Sequence, residues 1–342
     1  MAPSRRTLLA AAAGCAAPPA VFGPAGARAQ GGAGAPTRWQ CASAYPDGTF
    51  HTRNLRAMIE EVQAATGGAL QVQLHSNASL LPQQQIKRGV QTGQVQLGEI
   101  LLSAYGNEDP FFEVDSLPQL VATTEQARRL HELSKPSIEA RFARQGLVLL
   151  YMVPWPPSGL YTNQAVPTLE ALRGIRMRTF NVMTNRFATL VGASPTLVQA
   201  AEIPQAFATG VVTVMVTSAQ TGVDSQAWDF ARVFTPIGFT RTRNAVFAQR
   251  RALEALPEAQ QRAVRDAAAR AEARGWAMSD EAAEQQQQQA MLGHRGMQVL
   301  QPTPELLAGL AAVGRGMAEE WAGRSGEDGR RLIDAYRAGG GA

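Results

Sequence analysis

Two periods of apolar residues run through this chain. Residues 70–75 alternate apolar with polar positions, the period of two expected of strands, and 39–44 read as the first strand. Between them, residues 51–66 place Leu55, Met58, Ile59 and Val62 on one helical face and stop at Gly67-Gly68. Tyr45-Pro46-Asp47-Gly48 has the composition of a turn. A helix is expected over 83–92, ended by Gly93, and a strand over 95–102. This β-α-β-α-β rhythm predicts a parallel or mixed sheet with helices on both faces. Residues 124–145 read as a helical stretch broken at Ser134-Lys135-Pro136, and 147–153 as a strand. Pro154-Trp155-Pro156-Pro157 then reads as a stiff crossover into a second domain.

The second domain centres on residues 172–218, which pattern as strand, helix, short strand, helix, strand. Residues 175–180 alternate, 185–191 carry Phe187, Leu190 and Val191 at helical spacing, and Gly192 closes that helix. A helix over 202–209 ends at Gly210, and the β-branched run 211–216 reads as a strand buried on both faces. Residues 244–248 form a strand returning to the first domain. Leu256-Pro257-Glu258 opens a long helix reaching about 292, with proline at the first helical position and Gly275 as a point of kinking. The tract 285–289 reads as a solvated face of that helix, 304–321 as the final helix, 339–342 as a frayed tail and 30–36 as a disordered lead-in. A chain crossing more than once between two domains predicts a cleft closed by hinge bending, where a small ligand binds.

Arg178 carries the chemistry of this pattern. A guanidinium on so apolar a strand requires an anion, because an unpaired buried charge is costly, and its planar fork suits a carboxylate. The pattern alone leaves open an arginine that snorkels to the strand end or pairs with a neighbouring acid. The segments LRGIRMR (172–178), GASPT (192–196) and EIPQAFATGVV (202–212) resemble the solute-binding proteins of TRAP transporters, the tripartite ATP-independent periplasmic transporters. There L-K-G-L-K-I-R, G-A-x-P and S-E-V-Y-x-A-L-Q-T-G-V-V-D-G stand at the same spacing. Lesser similarity runs from 39 to 321. Thr213 and Val214 depart from the family's Asp-Gly.

The resemblance implies an α/β, two-domain periplasmic-binding-protein fold of the TRAP type. It has mixed sheets flanked by helices, hinge crossovers and a long helix bridging both domains. Domain I is expected over 37–156 and 244–283, and domain II over 157–243 and 284–338. The family's carboxylate-binding arginine falls on Arg178. Asn181 matches a position often asparagine, and Thr217 stands where an asparagine commonly meets the ligand. Thr217 and Ser218 end a strand and offer hydroxyls. Ser158 falls where members binding acidic sugars have a second arginine. Glu99, in an otherwise apolar strand, has two readings: a ligand contact, or a salt bridge, for instance to Arg178. Trp155 and Tyr45 read either as an aromatic wall offering cation–π attraction or as packing at a domain junction. Asp224 reads as helix surface and Trp228 as core.

Composition sets the compartment and narrows the function. The 342 residues are 45% hydrophobic and 18% charged, enough for two domains with real cores. Ser4-Arg5-Arg6-Thr7-Leu8-Leu9 is a twin-arginine-type start, followed by an alanine-rich run and a small-x-small site at Ala27-Arg28-Ala29. Residues 1–29 are therefore expected to be an export signal cleaved after Ala29, by the twin-arginine or the general secretory route, leaving the protein in the periplasm. Loss of Arg5, Arg6 and Arg28 takes the formal charge from +4 to +1, which argues against a nucleic-acid partner. Only Cys41 then remains, so no intrachain disulfide or metal-thiolate site is expected.

His51, His75, His131 and His294 lack metal spacing, and no nucleophile elbow, dinucleotide fingerprint or P-loop occurs. The reading is a non-enzymatic, cofactor-free binding protein with no metal, a monomer or homodimer. It captures a small carboxylate (a C4-dicarboxylate, 2-oxo acid or similar), and the resemblance implies that it delivers this solute to a TRAP membrane permease. Two alternatives stand beside it. One is the same fold binding a small amine, amino alcohol or amino acid through Glu99 and the aromatic residues; the other is a ligand-sensing extracytoplasmic domain.

Overall fold

The structure, a computed structural model, describes residues 35–291 and 295–340, and of residues 284–291 the backbone alone. The expected export signal, the face of the glutamine tract and the last two tail residues lie outside what is described. The strands are β1 (Thr37–Ser43), β2 (Leu70–His75), β3 (Leu97–Leu101), β4 (Leu147–Pro154), β5 (Ser158–Thr162), β6 (Arg176–Thr179), β7 (Ser194–Leu197), β8 (Val214–Ser218), β9 (Val233–Thr235), β10 (Arg243–Gln249) and β11 (Gln298–Val299). They build two mixed sheets. The first has the order β2-β1-β3-β10-β4, the second β11-β9-β5-β8-β6-β7. β1 runs parallel to β2 and β3, whereas β10 is antiparallel to both of its neighbours. In the second sheet β6 is parallel to β7 and β8, while β5 is antiparallel to β8 and β9.

The chain passes between the sheets at 155–157 and again at 236–242. The two passages lie side by side: Trp155 N–H donates to Thr242 O at 2.7 Å, Ser158 N–H to Thr240 O at 3.0 Å, and Phe239 N–H to Ser158 O at 2.8 Å. Gln119, in the left-handed region at φ 61°, clamps the second passage. Its side-chain amide donates to Ile237 O at 2.8 Å and to Gly238 O at 3.1 Å.

The long helix Glu258–Met291 packs on the helix Phe50–Ala65 and on β4, and also on the helix Ala219–Asp224 and on β11, so it touches elements of both sheets. Trp276 donates its indole N–H to Met152 O at 3.1 Å, and the Asn54 amide donates to Ala271 O at 2.8 Å. Gly275 lies inside one continuous helix. Its hydrogen is what allows close approach, since a Cβ there would sit 2.4 Å from Val153 Cγ2 and 2.6 Å from Asn54 Nδ2.

Two further expectations change. The stretch expected to break at Pro136 is one helix, Thr124–Arg144, opened by a capping box between Thr123 and Gln126. Pro136 and Glu132 both face solvent, so water can take the carbonyl that the proline leaves unpaired, while Leu130, Ile138 and Phe142 bury the other face. The helix expected to be last runs Pro304–Arg324, and Gly326, at φ 66°, turns the chain into another, Gly326–Ala338. That helix buries Leu332, Ile333 and Tyr336. It docks on the helix Thr124–Arg144, with Arg129 donating to Ala335 O at 2.8 Å. The end of the chain therefore packs on a helix that also lies against β4 of the first sheet.

Glu272 ties the long helix to its neighbours. Its carboxylate accepts from Met152 N–H at 3.1 Å and from Lys135 Nζ at 2.7 Å, and lies 3.4 Å from His131 Nε2. Burial alone would raise its pKa, but these donors outweigh burial and hold it at about 2. A carboxyl depressed on folding contributes stability that is full above its unfolded pKa and is lost as pH falls through the folded value. Glu272→Gln should therefore flatten the decline in stability between about pH 5 and pH 2, read as urea midpoints across that range. A midpoint–pH curve unchanged by the substitution would contradict this. Gly275→Leu should destabilise by about 1–3 kcal/mol through overpacking, measured by equilibrium denaturation.

Candidate functional site

The strand ends and loops between the sheets enclose a cavity of about 130 Å³. From the first sheet's side come Tyr45, just beyond β1, Leu101 at the end of β3 and Trp155 just beyond β4. Gln83 adds the first residue of the helix Gln83–Thr92. The second sheet contributes Ser158 from β5, Arg178 from β6, and Thr217 and Ser218 from β8. Gln199 to Glu202 form a further wall.

Arg178 is 4% exposed, and among the described residues no carboxylate pairs with it. Its Nε donates to Val198 O at 2.9 Å, its Nη1 lies 3.4 Å from Thr217 Oγ1, and the guanidinium sits 5.1 Å from the Phe180 ring centre. Burial lowers its pKa to about 10, still far above neutrality. The side chain neither snorkels nor forms an ion pair. Only Glu202 joins it among the charged residues lining the cavity, and the Glu202 carboxylate accepts from Gln199 N–H at 2.9 Å.

Tyr45 and Trp155 form an aromatic wall, with ring centres 5.1 Å apart. Both polar atoms turn to Asn244 Oδ1, from Trp155 Nε1 at 2.8 Å and from Tyr45 Oη at 3.3 Å. Ser218 caps the helix Ala219–Asp224 by accepting from Thr221 N–H at 3.1 Å. Ser158 Oγ lies 3.4 Å from Thr240 Oγ1.

Two expected contacts lie elsewhere. Glu99 does not line the cavity and does not pair with Arg178. It sits mid-β3, paired with Ser43 of β1 and Val246 of β10, and is buried, with His51 Nδ1 3.9 Å from its Oε1. Its Oε2 accepts from Ser43 Oγ at 2.6 Å and its Oε1 from Asn244 Nδ2 at 3.2 Å. Burial raises its pKa, opposed by those two hydrogen bonds. Asn181 also stands off the cavity. Its Oδ1 caps the helix Val182–Leu190 through Thr184 N–H at 2.8 Å, and its amide nitrogen donates to Ser103 and Ser116 at 2.8 and 3.0 Å. Asp224 is exposed and accepts from Thr49 Oγ1 at 2.9 Å, and Trp228 is half-buried beneath Arg295.

The sequence reading missed Gln83, Phe180, Gln199, Thr221 and Thr242 in the lining, and Asn244 behind it. Only Asn244 carried a signal, as an amide heading an apolar strand.

The model of the bacterial extracellular solute-binding proteins, family 7 (DctP), matches residues 41–322. The chain belongs to this family. DctP7 of Bordetella pertussis, an extracytoplasmic solute receptor binding pyroglutamic acid, is 42% identical. The match covers 88% of this chain and 99% of that one, at a TM-score of 0.86. A marine metagenome TRAP solute-binding protein specific for pyroglutamate is 34% identical over 89% of this chain and 99% of its own, at a TM-score of 0.85. The curated YiiZ protein of Salmonella typhimurium is 27% identical over 218 residues, 61% of this chain and 65% of that relative. No helix among the described residues is long and apolar enough to cross a membrane.

Arg178→Ala should weaken binding of a carboxylate solute by about 2–5 kcal/mol, the cost of removing one partner of a buried charged pair, measured by titration calorimetry. Arg178→Met should at the same time raise the melting temperature of the solute-free protein, because it removes an unpaired buried charge. A lower melting temperature would contradict that account of the site.

Proposed function

We propose that this family 7 protein is the extracytoplasmic solute-binding subunit of a TRAP transporter. It captures pyroglutamate, or a closely similar cyclic monocarboxylate, and delivers it to the membrane permease. The observation that carries the reading is the lone unpaired guanidinium of Arg178 in a cavity whose other polar groups, Glu202 apart, are neutral. One carboxylate satisfies that charge. A second carboxylate would find no other cation in the lining and would meet Glu202, which disfavours a C4-dicarboxylate. An amine bound through Glu99 is disfavoured for a different reason, since that carboxyl is enclosed behind the wall by Ser43 and Asn244.

A lactam ring bearing one carboxylate fits what remains. The carboxylate meets Arg178 and Thr217. The ring lies against Tyr45 and Trp155, and the lactam N–H and C=O find partners among Gln83, Ser158, Ser218 and Gln199. The similarity of the chain to receptors that bind pyroglutamate supports this choice. Export directed by residues 1–29, with cleavage after Ala29, places the mature protein in the periplasm beside the permease.

Pyroglutamate at about 100 times its dissociation constant should add about 2.7 kcal/mol of stability. Succinate, proline and glutamate at the same concentration should add much less. Stabilisation by succinate with none by pyroglutamate, in a thermal-shift assay checked by calorimetry, would overturn the assignment.

A further inference from the structure

We propose that Glu99 is a positioning residue for the solute site. Through Asn244 it takes up the polar atoms of Tyr45 and Trp155, so that both rings meet the solute as apolar faces offering no donor. An indole N–H can only donate, so the Asn244 side chain must turn its oxygen to Trp155. Its nitrogen then faces inward and needs an acceptor, and Glu99 Oε1 stands there at 3.2 Å. The other carboxyl oxygen is anchored by the Ser43 hydroxyl at 2.6 Å. Ser43, Glu99 and Asn244 lie on three adjacent strands and are each about 1% exposed or less, so the chain of bonds is rigid and dry. It ends on the wall of the cavity, because Tyr45 Oη also reaches Asn244 Oδ1.

The consequence is selectivity by shape. A wall with no free N–H or O–H rewards a flat ring stacked on it and gives an open-chain acid nothing extra to bond. This inference rests on the cyclic monocarboxylate reading above.

The test compares the affinities of pyroglutamate and of N-acetylglycine, an acyclic monocarboxylate that keeps the amide. Wild type should prefer pyroglutamate. Glu99→Leu and Asn244→Ala should each cut that preference by about tenfold, the effect of leaving a buried donor unpaired. Affinity for N-acetylglycine should change little. Glu99→Gln should keep the preference, because its oxygen still accepts from Asn244 while its amide donates to Ser43. An unchanged preference in Asn244→Ala, or a loss in Glu99→Gln equal to that in Glu99→Leu, would overturn the proposal.

A second readout needs no solute. The Trp155 indole N–H resonance, assigned with Trp155→Phe, should exchange slowly in wild type and Glu99→Gln and quickly in Asn244→Ala. If wild type has no preference for pyroglutamate, the solute reading fails, and the network is judged on this resonance. Fast exchange in wild type would then overturn it.

Discussion

A buried positive charge that meets no carboxylate among the described residues is the constraint around which this protein is arranged. Arg178 occupies β6, and among the described residues its guanidinium meets a backbone carbonyl, a threonine hydroxyl and an aromatic face. Such a group costs stability when no anion is present. The cost is tolerable because both sheets supply ordinary apolar cores around it, with β8 buried along its whole length and β3 likewise. In the proposed function this cost favours capture, since a carboxylate entering the cavity would supply the charge-assisted hydrogen bonds the fork lacks.

The rest of the cavity is built to leave that charge as its one strong demand. Apart from Arg178 and Glu202, the polar side chains of the lining are hydroxyls and amides set among apolar residues, and the aromatic wall has its polar atoms turned away to Asn244. A buried carboxyl in β3 looks at first like an error of design. It is tolerated because two neighbouring strands each bring it a donor, which meets the requirement that buried polar groups be satisfied.

Around the cavity, the connections set how the two sheets are held. The paired passages at 155–157 and 236–242 bond to each other, and Gln119 clamps the second. Asn181 bonds from the start of a second-sheet helix to Ser103 and Ser116, and Asp224 accepts from Thr49 at the head of a first-sheet helix. The long helix lies against elements of both sheets, and Gly275 lets it come within contact of β4. The hydrogen bonds named here are polar contacts that can be exchanged for water at small net cost, which is compatible with the hinge bending expected of this fold.

Local chemistry was legible in the chain itself. The strand Leu70–His75 and the helix Gln83–Thr92 with its left-handed Gly93 are written in periodicity and a glycine stop, and both depend only on near neighbours. Arg178 was legible for the same reason: a charge in an apolar strand is conspicuous without any knowledge of what surrounds it. Pro136 misled because its cost is local, whereas the apolar face that keeps Thr124–Arg144 helical is repaid by distant residues. Glu99 was equally conspicuous, yet a residue's period shows that a side chain is enclosed and not what encloses it. Its partners Ser43 and Asn244 are 56 and 145 positions away, brought to it by strand order β1-β3-β10. The sequence by itself determined most of the elements and marked Arg178 as a charge in need of an anion, without deciding whether a side chain of the protein supplies it. Only the tertiary structure decided which polar groups face the cavity and which face one another, because that depends on the neighbours the sheet topology supplies.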